Sequence, residues 1–356
     1  MDLKDALSSS GVRDWEADTG GEILDIGVIG LGGFGRKVAL PAIESSRWCD
    51  TGAVISGSRS KAERVGAEYD ALPLTYEEYR EGDHADAFDA VYVVTPNATH
   101  LDFVETAAEL GKDVLCEKPL EGTFDRAESL VETTTDAGVT LMTAYRMQAT
   151  PVVRQLRDLV TSGTLGDIVR VEGTFNIAVL NGGGPDQWRL DASLAGGGAL
   201  PDIGIYPLNT TRFVLDTEPE AVRAVTARPH EGFEEVDEHV TFTLEFGSGV
   251  SATGHASFNA PSESRFHVVG TDATATIEPV FGAGATRTLR LETDEGEATV
   301  SVEGDEVAAE FDYFANAVLG DLEIEPDGAD GLADMRLMDA MYESAETGRR
   351  IAVDEG

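Results

Sequence analysis

Basic charge is what this chain has least of. It carries 26 lysines and arginines against 66 aspartates and glutamates, a formal net charge of −40, and only Lys4, Lys37, Lys61, Lys112 and Lys118 are lysines. The acids run the whole length rather than forming a tail. That distribution excludes the basic patch that nucleic-acid binding requires. In dilute buffer such charge strains a compact fold, whereas molar salt cuts the screening length to about 3 Å and relieves the repulsion. The composition therefore reads as the surface of a protein from a salt-loving cell. Cysteine is nearly absent: Cys49 and Cys116 are too few for a disulfide framework, and neither sits in a CxxC pair. Cys116 lies in an apolar run and reads as a small buried residue. The six histidines show no ligand spacing, so no metal is expected. No apolar run approaches the roughly 18 residues of a membrane span. The first twenty residues hold Asp2, Asp5, Asp14, Glu16 and Asp18 with no apolar core. They do not read as a secretory signal, and a cytoplasmic location is expected.

What is present is enough apolar sequence, 42% of 356 residues, for two packed cores. Residues 1–22, rich in serine, glycine and acids, read as a loose extension. Residues 23–146 alternate strand and helix signals. Strands are expected over 23–29, 53–55, 90–94, 113–116 and 139–144, and helices over 34–44, 60–67, 99–110 and 123–137. Pro41 is expected to kink or close the first helix, and Gly111 and Gly138 to end the last two. That alternation implies βαβ units and a parallel sheet. Residues 147–356 change character. After one helix over 151–162 come eight stretches of period two (169–177, 222–227, 240–246, 250–258, 266–270, 274–278, 288–291 and 298–302). Alternation with Gly-rich turns is the pattern of an antiparallel sheet. Two helices, 307–319 and 332–347, close the chain. The fold class is thus a dinucleotide-binding α/β domain followed by a domain on a large, mainly antiparallel sheet.

The chemistry sits at strand ends. Gly30-Leu31-Gly32-Gly33-Phe34-Gly35 matches GxGxxG directly after a buried strand and at the start of a helix, the context that gives this otherwise weak motif its meaning. Gly30 allows the tight turn, Gly32 lets backbone approach a pyrophosphate, and Gly35 lets helix and strand pack closely. The phosphates would lie at the helix N-terminus, with Gly33 and Phe34 completing the turn. An NAD site usually places an acid at the end of the second strand for the ribose hydroxyls. Here that stretch reads Ser56-Gly57-Ser58-Arg59-Ser60-Lys61. Nothing there repels a 2′-phosphate; Ser56 and Ser58 can line its site, and Arg59 and Lys61 can pair with it, so NADP is expected. Thr95-Pro96-Asn97 with His100, and Glu117-Lys118-Pro119, end the next two strands, where open α/β sheets bind ligands. An ammonium at Lys118 beside a cationic nicotinamide ring is disfavoured, which suits it to proton transfer. In the second domain Gly196-Gly197-Gly198 leads to Asp202 and Tyr206, four residues apart and so on one helical face. An N-cap role for Asp202 and a core role for Tyr206 are the plainer alternatives. Pro207 suggests a kink or a late helix start. Trp188 and Arg189 follow a second Gly-rich loop and are expected near the cofactor.

With these motifs assembled, the sequence resembles the glucose–fructose oxidoreductase / inositol dehydrogenase family over nearly its whole length. Glu117-Lys118-Pro119, and the run from Gln187-Trp188-Arg189 through the triple glycine to Asp202 and Tyr206, carry the resemblance. Inositol dehydrogenases place a histidine where this chain has Tyr206, which points to the sugar-oxidising members. The resemblance implies that Lys118, Asp202 and Tyr206 surround the reacting carbon, that Trp188 and Arg189 approach the cofactor, and that the second domain's open sheet makes subunit contacts. The substrate set is Lys118, Arg146, Asp202 and Tyr206. The activity implied is NADP-dependent oxidation of an aldopyranose, D-xylose first, at C1 to the lactone. A glucose–fructose-type oxidoreductase, another aldose or polyol dehydrogenase, or a non-catalytic NADP-sensing regulator are the alternatives.

Overall fold

The computed structural model describes residues 19–284 and 286–353, so most of the extension expected over 1–22 lies outside the described residues. The chain divides into two compact units, and it crosses between them more than once.

The first unit is a six-stranded parallel sheet. Its strands are β1 (Leu24–Ile29), β2 (Cys49–Ser56), β3 (Leu72–Thr75), β4 (Ala90–Val93), β5 (Asp113–Glu117) and β6 (Leu141–Ala144), in the order β3-β2-β1-β4-β5-β6. Strand order reverses between β1 and β4, which opens the crevice in which such sheets bind nucleotides. The crossovers are α1 (Leu40–Ser45), α2 (Arg59–Tyr69), α3 (Tyr76–Arg80), α4 (His100–Glu109) and α5 (Phe124–Ala137). β4 is buried at all its positions, and β1 at all but Asp25. The β3–α3 segment is absent from the sequence reading, although Thr75 and Glu78 form a reciprocal capping box there. Pro41 does not end its helix. A π turn over Gly35–Ala39 precedes it, and the helix continues to Ser45. The residue four before the proline, whose carbonyl its ring would strike, lies in the widened turn.

The division at 147–356 needs correction, because residues 305–335 belong with the first unit. The helix Glu306–Gly320 buries Val307, Phe311, Phe314 and Ala315 in one core with Leu40, Ile43, Tyr92 and Met142. The Tyr92 and Phe311 rings meet edge to face with centroids 5.1 Å apart. Asp312 accepts from the Ser46 hydroxyl and the Arg47 amide, both at 2.7 Å. Beyond that helix the chain covers the β6 edge, with the Thr143 amide donating to Pro326 O at 3.1 Å. An amphipathic helix records that it is buried, not against what, so the sequence pattern assigned it to its neighbours in the chain.

The second unit holds a nine-stranded sheet of β7 (Ile168–Ala178), β8 (Ala221–Ala227), β9 (His239–Glu245), β10 (Ser251–Ser257), β11 (Asn259–Gly270), β12 (Thr274–Glu278), β13 (Arg287–Thr293), β14 (Gly296–Val302) and β15 (Ile351–Ala352). Their order is β14-β13-β12-β11-β7-β10-β9-β8-β15. All neighbours are antiparallel except β7 and β10, which run parallel. The period-two strands bury one face (Val240, Phe242 and Leu244 on β9, for example) under the helices α6 (Pro151–Thr161) and α7 (Ile205–Leu215). Pro207 sits in the first turn of α7. As at Pro41, a π turn (Leu200–Gly204) precedes it and contains the residue four before.

Candidate functional site

In the first unit, the four glycines of the first turn are there for different reasons. Gly30 is left-handed at φ 110°, and a Cβ there would lie 2.6 Å from Val94 O. A Cβ on Gly35 would collide with Gly30 O. Backbone geometry therefore requires both. Gly32 and Gly33 differ: neither has a left-handed φ, and a Cβ on either meets nothing within 4 Å. The fold does not need them to be glycine. What they provide is bare backbone and open space at a helix start.

The end of β2 is organised by charge. The Arg59 guanidinium donates to Pro73 O at 3.1 Å and pairs with Glu78. The Thr75 amide bonded to Glu78, then Arg59, lower the glutamate's pKa to about 2. Ser56 is buried and accepts from the Ser58 amide at 3.3 Å, and Ser58 and Ser60 hydroxyls lie 3.3 Å apart. Lys61 makes no ion pair among the described residues.

At the ends of β4 and β5, several expected cofactor contacts prove to be internal struts. His100 is fully buried, and its ring nitrogens lie 3.2 Å from Leu120 O and 3.0 Å from Thr95 O. It ties the two crevice loops together rather than presenting its ring to a ligand. Thr95 and Thr99 hydroxyls bond at 2.8 Å, Thr99 also bonds Pro96 O, and Asn97 is buried in the turn after Pro96. Glu117 likewise faces inward, accepting from the Tyr92 hydroxyl at 2.5 Å and from the Lys118 amide at 3.1 Å. It thereby fixes the backbone of Lys118, which is partly exposed at the carboxyl end of β5. Arg146, expected to touch substrate, instead pairs with Glu306 at 2.7 Å, the two side chains 7% and 1% exposed. Beside them stands Glu310, fully enclosed, with Oε1 lacking a hydrogen-bond partner. Burial first, then the charge on Glu117, push its carboxyl well above the usual range. A lone buried charge is costly, so Arg146 is committed to this acid cluster. Glu306 and Glu310 escaped sequence reading because acids are everywhere in this chain.

In the second unit, Trp188, Arg189, Asp202 and Tyr206 form one neighbourhood. The 3₁₀ turn Trp188–Leu190 places the Arg189 guanidinium 4.6 Å from the Trp188 ring centroid. Its Nε donates to Asp202 at 3.0 Å. Asp202 is therefore no N-cap; it sits inside the π turn and faces a cation. Tyr206 follows on α7, edge to face with Phe175 at 5.3 Å and tilted against Phe281 at 5.8 Å. The aromatic contacts fix the ring, which is partly exposed.

Family comparison agrees with the two units. A model described as "Oxidoreductase family, NAD-binding Rossmann fold" matches residues 24–145, and one for the GFO/IDH/MocA C-terminal domain matches 153–276. The chain belongs to the GFO/IDH/MocA oxidoreductase family. Within that family it is 42% identical to a D-xylose 1-dehydrogenase [NADP(+)] of Haloarcula marismortui, over 96% of this chain and 97% of that protein. It is 34% identical to a D-xylose 1-dehydrogenase (NADP(+)) of Haloferax volcanii, over 92% and 99%. Among solved structures, an aldose-aldose oxidoreductase from Caulobacter crescentus superposes with a TM-score of 0.88 at 30% identity, covering 93% of this chain and all of that one. Among the described residues there is no helix long and apolar enough to cross a membrane, and no cluster suited to a metal ion.

Proposed function

We propose that this family member is an NADP-dependent sugar dehydrogenase that oxidises an aldopyranose, D-xylose in first place, at C1 to the lactone. The observation that carries the reading is the open cradle at Gly32 and Gly33, which the fold itself does not explain. The identity to NADP-dependent D-xylose dehydrogenases from two halophiles supports both cofactor and substrate class. The turn 30–35 holds the pyrophosphate; Ser56, Ser58 and Lys61, with Arg59 shared with Glu78, take the 2′-phosphate; Trp188 and Arg189 flank the nicotinamide end. When bound, the nucleotide supplies the hydride acceptor.

At the sugar, the C1–H bond breaks with its electron pair leaving as hydride, and the C1 hydroxyl proton must depart as C1=O forms. Tyr206, as a phenolate stabilised by the Lys118 ammonium, takes that proton and becomes a phenol; the two residues can also exchange these parts, with a neutral Lys118 amine as the acceptor. Asp202, held by Arg189, accepts hydrogen bonds from sugar hydroxyls. The dispersed acidity and the halophilic relatives support a role inside a salt-loving cell. The outer face of the nine-stranded sheet, lined with threonine, histidine and arginine, is a surface for self-association. The test is NADP⁺ reduction, followed by absorbance in molar KCl, across xylose, glucose, arabinose and inositol. Turnover fastest with xylose upholds the reading; binding of NADP without turnover of any sugar sinks it in favour of a nucleotide-sensing protein.

A further inference from the structure

The triple glycine 196–198, which in sequence opens the helical segment of Asp202 and Tyr206, is shaped by the atoms around it. A Cβ on Gly198 would collide with Asp237 O, and one on Gly197 with the Tyr342 hydroxyl. These glycines are small so that two distant residues can reach the backbone. The Asp237 side chain, just before β9, is the focus. Its Oδ1 accepts from the Gly198 amide and from the Tyr342 hydroxyl, each at 2.7 Å, and its Oδ2 from the Leu200 amide at 2.8 Å. Its own carbonyl accepts from the Ala199 amide at 2.9 Å. Three consecutive amides thus end on one residue. Asp237 is only 8% exposed, so these bonds are shielded from water. Leu200 opens the π turn that carries Asp202 and leads without a break into α7 and Tyr206.

We infer that Asp237 and Tyr342 form a clasp that sets the position of the Asp202–Tyr206 segment, and that both are positioning residues for the proton-handling step. The inference rests on the reading above, in which Asp202 and Tyr206 meet the sugar. The chain start of this segment is a flexible glycine run that would otherwise wander. A carboxylate bound by two amides and a phenol holds it more firmly than a neutral cap, because bonds to a charged acceptor are the stronger kind. Burial, then the Asp237 charge, raise the Tyr342 phenol well above its ordinary value, so it stays protonated and donates.

The experiment compares the full-length wild type with Asp237→Asn and Tyr342→Phe in molar KCl. Asn keeps the shape but turns an amino group towards one of the amides; Phe removes only the hydroxyl and is the milder change. We expect kcat on the best sugar to fall roughly tenfold to a hundredfold in Asp237→Asn, and by less in Tyr342→Phe, since a small misplacement near the chemistry costs about that much. The Kd for NADP⁺, read by fluorescence titration, stays at the wild-type value in both. Hydrogen exchange at the amides of residues 198–200 accelerates by about tenfold or more in Asp237→Asn. A fall in kcat matched by an equal weakening of NADP⁺ binding would show general loosening and overturn the proposal. So would unchanged kcat with faster exchange, or unchanged exchange. If the wild type turns over no sugar, the proposed activity fails on its own, and the exchange rates still decide whether the clasp exists.

Discussion

Replacing Gly32 with alanine should separate folding from nucleotide binding. The added methyl group meets nothing within 4 Å, and the backbone there is not left-handed. The unfolded chain loses conformational freedom while the native state gains no clash, so stability should rise by about 0.4–1 kcal/mol. For domains of this size that is a gain of roughly 1–4 °C in Tm. The same methyl group stands where phosphate oxygens must approach the backbone amides. Losing a hydrogen bond to a charged group costs about 1.5–3 kcal/mol, roughly a tenfold to hundredfold rise in the Kd for NADP⁺. Gly35→Ala is the opposite case. Its methyl group runs into Gly30 O, two pieces of backbone that cannot rotate away, and the strain should cost about 1–3 kcal/mol. The assay is thermal unfolding by circular dichroism, paired with fluorescence titration of NADP⁺, both in molar KCl. Gly32→Ala binding NADP⁺ within about twofold of wild type, or losing as much stability as Gly35→Ala, would refute the assignment of this turn as a phosphate cradle.

Further changes probe the rest of the site. Lys118→Ala and Tyr206→Phe should each lower kcat by roughly 10²–10⁴, the usual contribution of a positioned acid or base, while NADP⁺ still binds; near-normal turnover in either would remove that residue from the chemistry. Arg146→Met should destabilise by about 3–5 kcal/mol, because Glu306 is left buried without its cation, and the double change Arg146→Met/Glu306→Leu should recover most of that. If the single variant instead keeps its Tm and raises only the KM for sugar, Arg146 is a substrate residue after all. Glu310 holds its proton more tightly in the folded state than unfolded, chiefly through burial. Its contribution is therefore complete below the ordinary carboxylate pKa and is lost as pH rises towards the folded value. Glu310→Gln cannot ionise, so its Tm should gain on that of wild type as pH increases; parallel Tm curves across neutral pH would contradict a strained carboxyl.

Most of the architecture is legible because it follows from periodicity. A strand covered on both faces, such as β4, is continuously apolar, and a strand covered on one face, such as β9, alternates. What periodicity does not encode is partnership. The helix Glu306–Gly320 shows its apolar stripe plainly, yet nothing in that stripe says that Phe311 meets Tyr92 rather than the sheet just before it. The same gap explains Arg146 and His100. A cation next to a strand end and a histidine in a crevice loop look like ligand contacts until their buried partners, Glu306 on the one hand and the Thr95 and Leu120 carbonyls on the other, are known. Pro41 did not close its helix for a local reason, a π turn ahead of it that moves the obstructing carbonyl; ahead of Pro207 a π turn likewise precedes the regular helix, which starts at Ile205.

The two glycine clusters show where sequence reasoning about function has to stop and contact geometry take over. Both precede a helix, but only the first reads in sequence as a turn that admits a ligand. At 30–35 the chain itself accounts for Gly30 and Gly35, and what it leaves unexplained, Gly32 and Gly33, faces open space. At 196–198 the chain accounts for Gly197 and Gly198 through the Tyr342 hydroxyl and the Asp237 carbonyl. A glycine that its own fold does not require, at the start of a helix and the end of a parallel strand, is open to a ligand; a glycine that its fold does require faces whatever presses on it. By that criterion we propose that Gly32 and Gly33 serve the nucleotide, and that Gly197 and Gly198 serve the contacts that hold the Asp202–Tyr206 segment in place.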